Sequence, residues 1–234
     1  MLNGRAQTIS LREVLEELHQ RFADRDEGAP ASYIPELSRV DRTLFGISAS
    51  DVQGALTCVG DDDVFFTIQS IAKVFVYGLA LDLHGREAVR ARVGVEPSGD
   101  AFDALINLDM STKRPYNPMI NAGAIAITST IPGRDPTERL RCLLEMFSRY
   151  FGREVNISMP VFLSERLSGH RNRALAHLMN HFGMLEKDLE HTLDLYFQQC
   201  SVLVTTKDLA MAAATLANRG MNPLTGKQAI QPQY

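Results

Sequence analysis

The run Phe65-Phe66-Thr67-Ile68-Gln69-Ser70-Ile71-Ala72-Lys73-Val74-Phe75-Val76 sets a Ser-x-x-Lys pair at the mouth of an apolar helix. This feature constrains local structure and chemistry together. Residues three apart on a helix share a face with Cβ atoms about 5–6 Å apart, so the lysine amine can reach the serine hydroxyl. A serine hydroxyl is a poor nucleophile until a neighbour takes its proton, and lysine can do so only when neutral. Free lysine titrates near ~10.4. Burial among Ile71, Val74, Phe75 and Val76 is expected to disfavour the ammonium and supply a base near neutrality. The helix N-terminus adds positive potential and free N–H groups beside Ser70, half of what an oxyanion hole requires. The competing reading is a surface lysine one turn from a surface serine. The largely apolar stretch from Val74 to Leu83 speaks against it.

With 234 residues, 45% of them hydrophobic and 22% charged, the chain can bury a full core as one large domain or two intimate ones. A net charge of -4 and the lack of any basic run argue against a nucleic-acid or anionic-membrane partner. Val74 to Leu83 is too short to span a bilayer. The start, Met1-Leu2-Asn3-Gly4-Arg5, has no apolar signal core. Cys58, Cys142 and Cys200 make no metal spacing and cannot all pair internally, so a reducing cytoplasm is the expected setting.

Periodicity predicts a helix over 8–24, carried by Leu11, Val14, Leu15, Leu18 and Phe22. A hairpin follows, its strands at 45–49 and 55–59 flanking Asp51-Val52-Gln53-Gly54. The Ser70 helix should end near Gly85. Beyond it the pattern is mostly helical, with helices expected at 121–130, 136–151, 173–183 and 186–199 between turns at 96–100, 114–118 and 131–133. A short strand at 202–204 precedes a helix from Thr206 to Asn218, capped by Thr205 or Thr206 and stopped at Gly220.

A strand pair, a long helical insertion opened by Ser-x-x-Lys, and a return to strand and helix resembles the serine-dependent glutaminases. That family shares its fold with serine β-lactamases and penicillin-binding proteins. The similarity runs from about Glu13 to Tyr234 in six ordered blocks: 33–37, 69–73, 94–99, 117–125, 164–172 and 195–201. The β-lactamase companions Ser-Asp-Asn and Lys-Thr-Gly are absent. The resemblance implies an α+β fold, an antiparallel sheet flanked by helices plus a mostly helical subdomain. Residues 1–68 and 201–234 would form the sheet part and 69–200 the helical part.

The resemblance also implies a site. Ser70 and Lys73 would be catalytic, and Tyr33, Gln69, Asn121, Glu165, Asn172 and Tyr196 would line a pocket for L-glutamine. Glu165 would pair with the substrate ammonium, while Asn121, Asn172 and Tyr33 would hold the carboxylate and amide. Read without relatives, each has a plainer role. Glu165 beside Arg166 suggests a surface ion pair, Asn117 and Asn121 suggest turn or cap residues, Tyr33 could simply pack its ring and bond its hydroxyl, and Tyr196 at helical spacing from Leu193 suggests core. His177 and His181 stand four apart, but Leu178 occupies the place of a zinc protease glutamate and no third ligand is evident, so neither metal nor cofactor is expected. Cys200 reads as a buried structural cysteine.

The implied reaction is acyl transfer: Ser70 attacks the γ-amide, ammonia leaves, and water cleaves the γ-glutamyl ester to glutamate. The alternatives are a penicillin-binding or esterase-type serine hydrolase, and a non-catalytic assembly subunit. By resemblance the protein is expected to be a homo-oligomer. Family members continue for several tens of residues past the position of Tyr234, through strands that supply a further active-site tyrosine and an oxyanion-hole N–H. On that ground this polypeptide alone is expected to be impaired, with its hairpin left with a bare edge and an uncovered apolar face.

Overall fold

The structure, a computed structural model, describes residues 9–97, 99, 108–109, 114–185 and 188–234. The first five residues, Ser98 and Asp100 of the expected 96–100 turn, and Glu186 and Lys187 of the expected 186–199 helix lie outside the described residues.

Helix α1 (Leu11–Phe22) starts where a capping box allows it. Ser10 Oγ accepts from the Glu13 N–H, and the Glu13 carboxylate accepts from the Ser10 N–H. The hairpin then forms from β1 (Gly46–Ser50) and β2 (Leu56–Gly60), in antiparallel register with Ser48 opposite Cys58. Its strands are displaced by one residue from the sequence expectation. Asp51 sets the turn, its carboxylate accepting from the Gln53 and Ala55 N–H groups. Each strand of this two-stranded sheet keeps an unpaired edge among the described residues, as expected, but the hairpin's face is not left uncovered. Helix α1 lies along β2, and the last helix, α8, lies along β1, so every β1 residue is half-buried. His19 of α1 reaches across to the Phe45 carbonyl at 3.0 Å and stacks on the Phe45 ring.

A two-residue strand, β3 (Phe66–Thr67), leads into a single 3-10 turn and then α2 (Ala72–Arg92). Gly85, expected to end this helix, does interrupt it: its φ +77 and ψ 165 leave the helical region, and a second helical stretch runs from there to Arg92. Strands β4 (Leu108–Asp109) and β5 (Arg114–Pro115) pair with each other. Five helices follow: α3 (Asn121–Ser129), α4 (Pro136–Phe151), α5 (Met159–Ser168), α6 (His170–His181) and α7 (Leu189–Cys200). Strand β6 (Leu203–Val204) returns to pair antiparallel with β3, and α8 (Thr206–Ala217) closes the series. Helix α5 was missed from the sequence. Its signals are local, Ser158 as N-cap and Pro160 in the first turn, but its apolar positions lack a single clean stripe.

Helix α3 is the axis of the core, with all nine residues buried. Its composition of Ala, Gly and Ile follows from this, since a helix hydrophobic all round has no face to give to water. Helices α2, α6 and α7 pack around it. Its C-terminal carbonyls are satisfied by an unusual donor, the buried guanidinium of Arg139, which reaches the Thr128 and Ile131 oxygens at 2.9 and 3.1 Å. Phe75 of α2 meets Phe147, Tyr150 and Phe151 of α4 edge-on, with centroids 4.8–6.0 Å apart. Below α8, Asp208 closes a capping box with Thr205 and also binds Arg153 at 2.7 Å, fixing the return of β6. No described helix is long and apolar enough to cross a membrane.

Candidate active site

Ser70 lies in the 3-10 turn Gln69–Ile71, which is held from both ends. Upstream, the Ile68 N–H donates to the Val202 carbonyl at 2.9 Å and β3 pairs with β6. Downstream, the Ala72 N–H donates to the Gln69 and Ser70 carbonyls, so the turn runs into α2 without a break. Between these anchors Gln69 takes φ +49, a left-handed conformation that costs a residue with a side chain on the order of 1–3 kcal/mol. Strand pairing on one side and the helix on the other impose it. The result is a serine turned toward solvent on the wall of a cavity.

Lys73 follows one turn later and is only 3% exposed. Its burial does not come from the neighbours expected. Phe75 and Val76 point into the core, but Ile71 and Val74 remain 45% exposed. The apolar run is a two-sided helix in which the lysine shares the inward face. There its Nζ donates to Asn121 Oδ1 at 2.7 Å, and Asn121 Nδ2 donates to Asn172 Oδ1 at 3.0 Å. A polar chain thus runs from the amine on α2 through α3 to α6.

Asn117 and Asn121 divide the roles foreseen for them. Asn117 is the turn residue, its carbonyl oxygen accepting from the Met119 and Ile120 N–H groups and its amide donating to the Glu96 carbonyl. Asn121 is the first residue of α3 and spends its side chain on Lys73 and Asn172. Gly123 makes this approach possible, because a Cβ there would run into the Asn117 carbonyl. We expect Gly123→Ala to destabilise the fold by about 1–3 kcal/mol, as overpacking against backbone does. The same shift should disturb the Asn121–Lys73 bond, so urea unfolding and turnover should both suffer.

The cavity measures about 210 Å³ and is lined by Tyr33, Ile34, Gln69, Ser70, Asn121, Glu165, Ser168, Gly169, Arg171, Asn172, Tyr196, Phe197 and Cys200. Seven of the eight residues singled out from sequence are therefore on one wall. Lys73, the eighth, lies beneath it and reaches it through Asn121. Tyr33 stands at the mouth, 65% exposed, whereas Tyr196 is buried and serves both core and cavity.

Glu165 is not the surface ion pair its neighbour suggested. Arg166 turns away to Asp194 at 2.8 Å, while Glu165 is 5% exposed and its Oε1 has no hydrogen-bond partner among the described residues. Burial pushes its carboxyl up to about 7, opposed by a hydrogen bond from Gln69. Burial also raises the Tyr196 hydroxyl and the Cys200 thiol well above their ordinary values, so Cys200 is held as an unreactive thiol. His177 and His181 lie exposed on α6.

Six lining residues were not foreseen: Ile34, Ser168, Gly169, Arg171, Phe197 and Cys200. Helical spacing carried a signal for two. Cys200 stands four residues after Tyr196 on α7, and Ser168 three after Glu165 on α5. Gly169 ends α5 where a Cβ would strike the Glu165 carbonyl and the Phe197 ring.

Residues 28–234 match the family model for glutaminase. The chain belongs to the glutaminase family. It is 58% identical over 224 residues to a glutaminase from a Nostoc species, covering 96% of this chain and 67% of the relative. A glutaminase from Microcystis aeruginosa is 53% identical, with 99% and 68% covered. Among solved structures, a probable glutaminase, ybaS, superposes with a TM-score of 0.91 at 35% identity, covering 95% of this chain and 72% of that one. Mglu in its glutamate form gives 0.90 at 38% identity, covering 95% and 52%. The chain thus spans about two thirds of these curated relatives and half of the Mglu chain. The fold these glutaminases share is the α+β, β-lactamase-like one expected from the block order.

Proposed function

We infer that this chain carries glutaminase chemistry, hydrolysis of the side-chain amide of L-glutamine to L-glutamate and ammonia through a γ-glutamyl ester of Ser70. The observation that carries this reading is the meeting in one cavity of an exposed serine and a buried, partnerless carboxylate oxygen, with the Lys73–Asn121–Asn172 chain behind them. Each part answers a part of glutamine. The orphan Glu165 oxygen suits the α-ammonium, an interaction strengthened by the low local dielectric. Asn121, Asn172, Gln69 and Tyr33 offer neutral hydrogen-bonding groups for the carboxylate and amide. Such groups discriminate strongly, because a ligand that lacks the partner leaves them buried and unpaired.

In the first step Lys73 takes the Ser70 proton as Oγ bonds to the amide carbon. An amine removed from water is disfavoured as an ammonium, which suits it to this role. The proton passes to the departing nitrogen, which leaves as ammonia. Water then adds to the ester, and Ser70 recovers its proton as glutamate departs. The N-terminus of α2 lies beside the developing oxyanion.

The similarity to Mglu in its glutamate form supports the product. In the same reading, residues 1–68 with 201–234 and residues 69–200 are two subdomains with the cavity at their junction, and the protein works as a cytoplasmic homo-oligomer. The test is ammonia release by the purified chain from L-glutamine, with glutaramic acid, which lacks the α-amino group, alongside. Turnover of glutamine, insensitivity to chelators and rejection of glutaramic acid are expected. Covalent labelling of Ser70 by a β-lactam without glutamine turnover would overturn the reading.

A further inference from the structure

Glu165 poses a physical problem that substrate recognition alone does not solve. A carboxylate oxygen in a buried wall with no hydrogen-bond partner is costly to leave ionised, since nothing replaces the water it has lost. We propose that the cavity captures its substrate by exchange: Glu165 is a carboxylic acid when no cation faces it, and it releases its proton to solvent as an α-ammonium docks. The proposal rests on the glutaminase reading of the site and adds to it a coupling between binding and pH.

Among the described residues, the groups facing Glu165 are neutral. From α7 it meets Tyr196 and Cys200, both kept neutral by burial. From the nucleophile turn it receives the neutral amide of Gln69. Tyr33 closes the mouth from the segment between α1 and β1. The basic side chains nearby point elsewhere: the Lys73 amine donates to Asn121, Arg166 of α5 pairs outward with Asp194, and Arg171 lies exposed at the rim. An arriving ammonium is therefore the group that makes the anion favourable. The exchange balances: the acid loses one proton to solvent, the substrate amine keeps its three, and a charge pair replaces a neutral acid and a solvated cation.

The size of the coupling follows from a carboxyl held at about 7. Near pH 6 about 0.9 of a proton should leave per glutamine bound, and near pH 8.5 less than about 0.1. Affinity for glutamine should rise about tenfold from about pH 6 to about pH 8.5, because the proton no longer has to be removed. The experiment uses the full chain carrying Ser70→Ala, so that L-glutamine binds without turnover. Proton release is read with an indicator dye in weak buffer, together with the infrared carbonyl band of a protonated carboxylic acid. Adding glutamine near pH 6 should release the proton and abolish the band; 13C-labelling of the glutamates should shift that band, which identifies it without altering Glu165. Glutamine binding near pH 6 with neither change overturns the exchange and leaves the glutaminase reading standing. Failure to bind at either pH overturns both.

Discussion

Replacing Ser70 by alanine is expected to lower ammonia release from L-glutamine by at least about 10⁴-fold while leaving the fold unchanged. The two halves of this expectation have separate causes. Ser70 is exposed on the cavity wall and its backbone is pinned by β6 and α2, so losing the hydroxyl removes no core contact. Its thermal unfolding should therefore stay within about 0.5 kcal/mol of the parent. Activity falls because the other nucleophile-type groups of the lining are engaged: the Ser168 hydroxyl donates to the Ser164 carbonyl, and Cys200 is buried and protonated. Lys73→Met should cost a comparable amount, since a nucleophile and its base act as one unit. The double variant should then be no worse than Ser70→Ala alone, because the losses are not additive. Steady-state ammonia assays on the three variants decide it. A Ser70→Ala protein retaining more than a tenth of the activity would end the acyl-enzyme account.

Glu165→Gln is expected to make the protein more stable and less active at once. The carboxyl is held at about 7 in the folded chain against 4.5 ordinarily. Below pH 4.5 it is protonated in both states and adds no pH dependence. Between 4.5 and 7 the unfolded chain has released the proton and the folded chain has kept it, so stability falls as pH rises. The loss is complete above about 7 and amounts to about 3 kcal/mol. Glutamine at this position has no proton to lose, so the variant should match the parent near pH 4 and exceed it by up to about 3 kcal/mol near pH 8. The same change removes the anion proposed to meet the substrate ammonium. Cutting one partner from a buried charge pair costs about 2–5 kcal/mol, so kcat/KM should drop by about 10²-fold or more. Chemical unfolding at two pH values, with glutamine turnover at one, tests both signs. A variant that is no more stable than the parent near pH 8 would refute the burial argument.

These opposite signs reflect how function is placed in this fold. The strained Gln69, the orphan Glu165 oxygen and the buried Lys73 each work against stability, and they converge on one cavity. The core that tolerates them is assembled elsewhere, around α3 and the aromatic contacts of α2 and α4.

Much of this was legible in the chain itself, and the reason is locality. Ser70 and Lys73 announce themselves because three residues on a helix fix their separation. The cap at Thr205 is equally local, its side chain bonding the Asp208 backbone N–H three residues on. What resisted reading is set by contacts distant in sequence. Nothing local says that Glu165 turns inward while Arg166 turns to Asp194, or that Asn121 spends its amide on Lys73, 48 positions earlier, rather than on a cap. Nor does the apolar run around Ser70 reveal that Ile71 and Val74 face solvent, because hydrophobicity does not name the partner a side chain will meet. The sequence by itself determined the Ser-x-x-Lys pair proposed as nucleophile and base, and the helical scaffold that carries it. Only the tertiary structure decided which polar atoms are buried without partners, since desolvation is a property of the assembled walls and not of the residues taken in order.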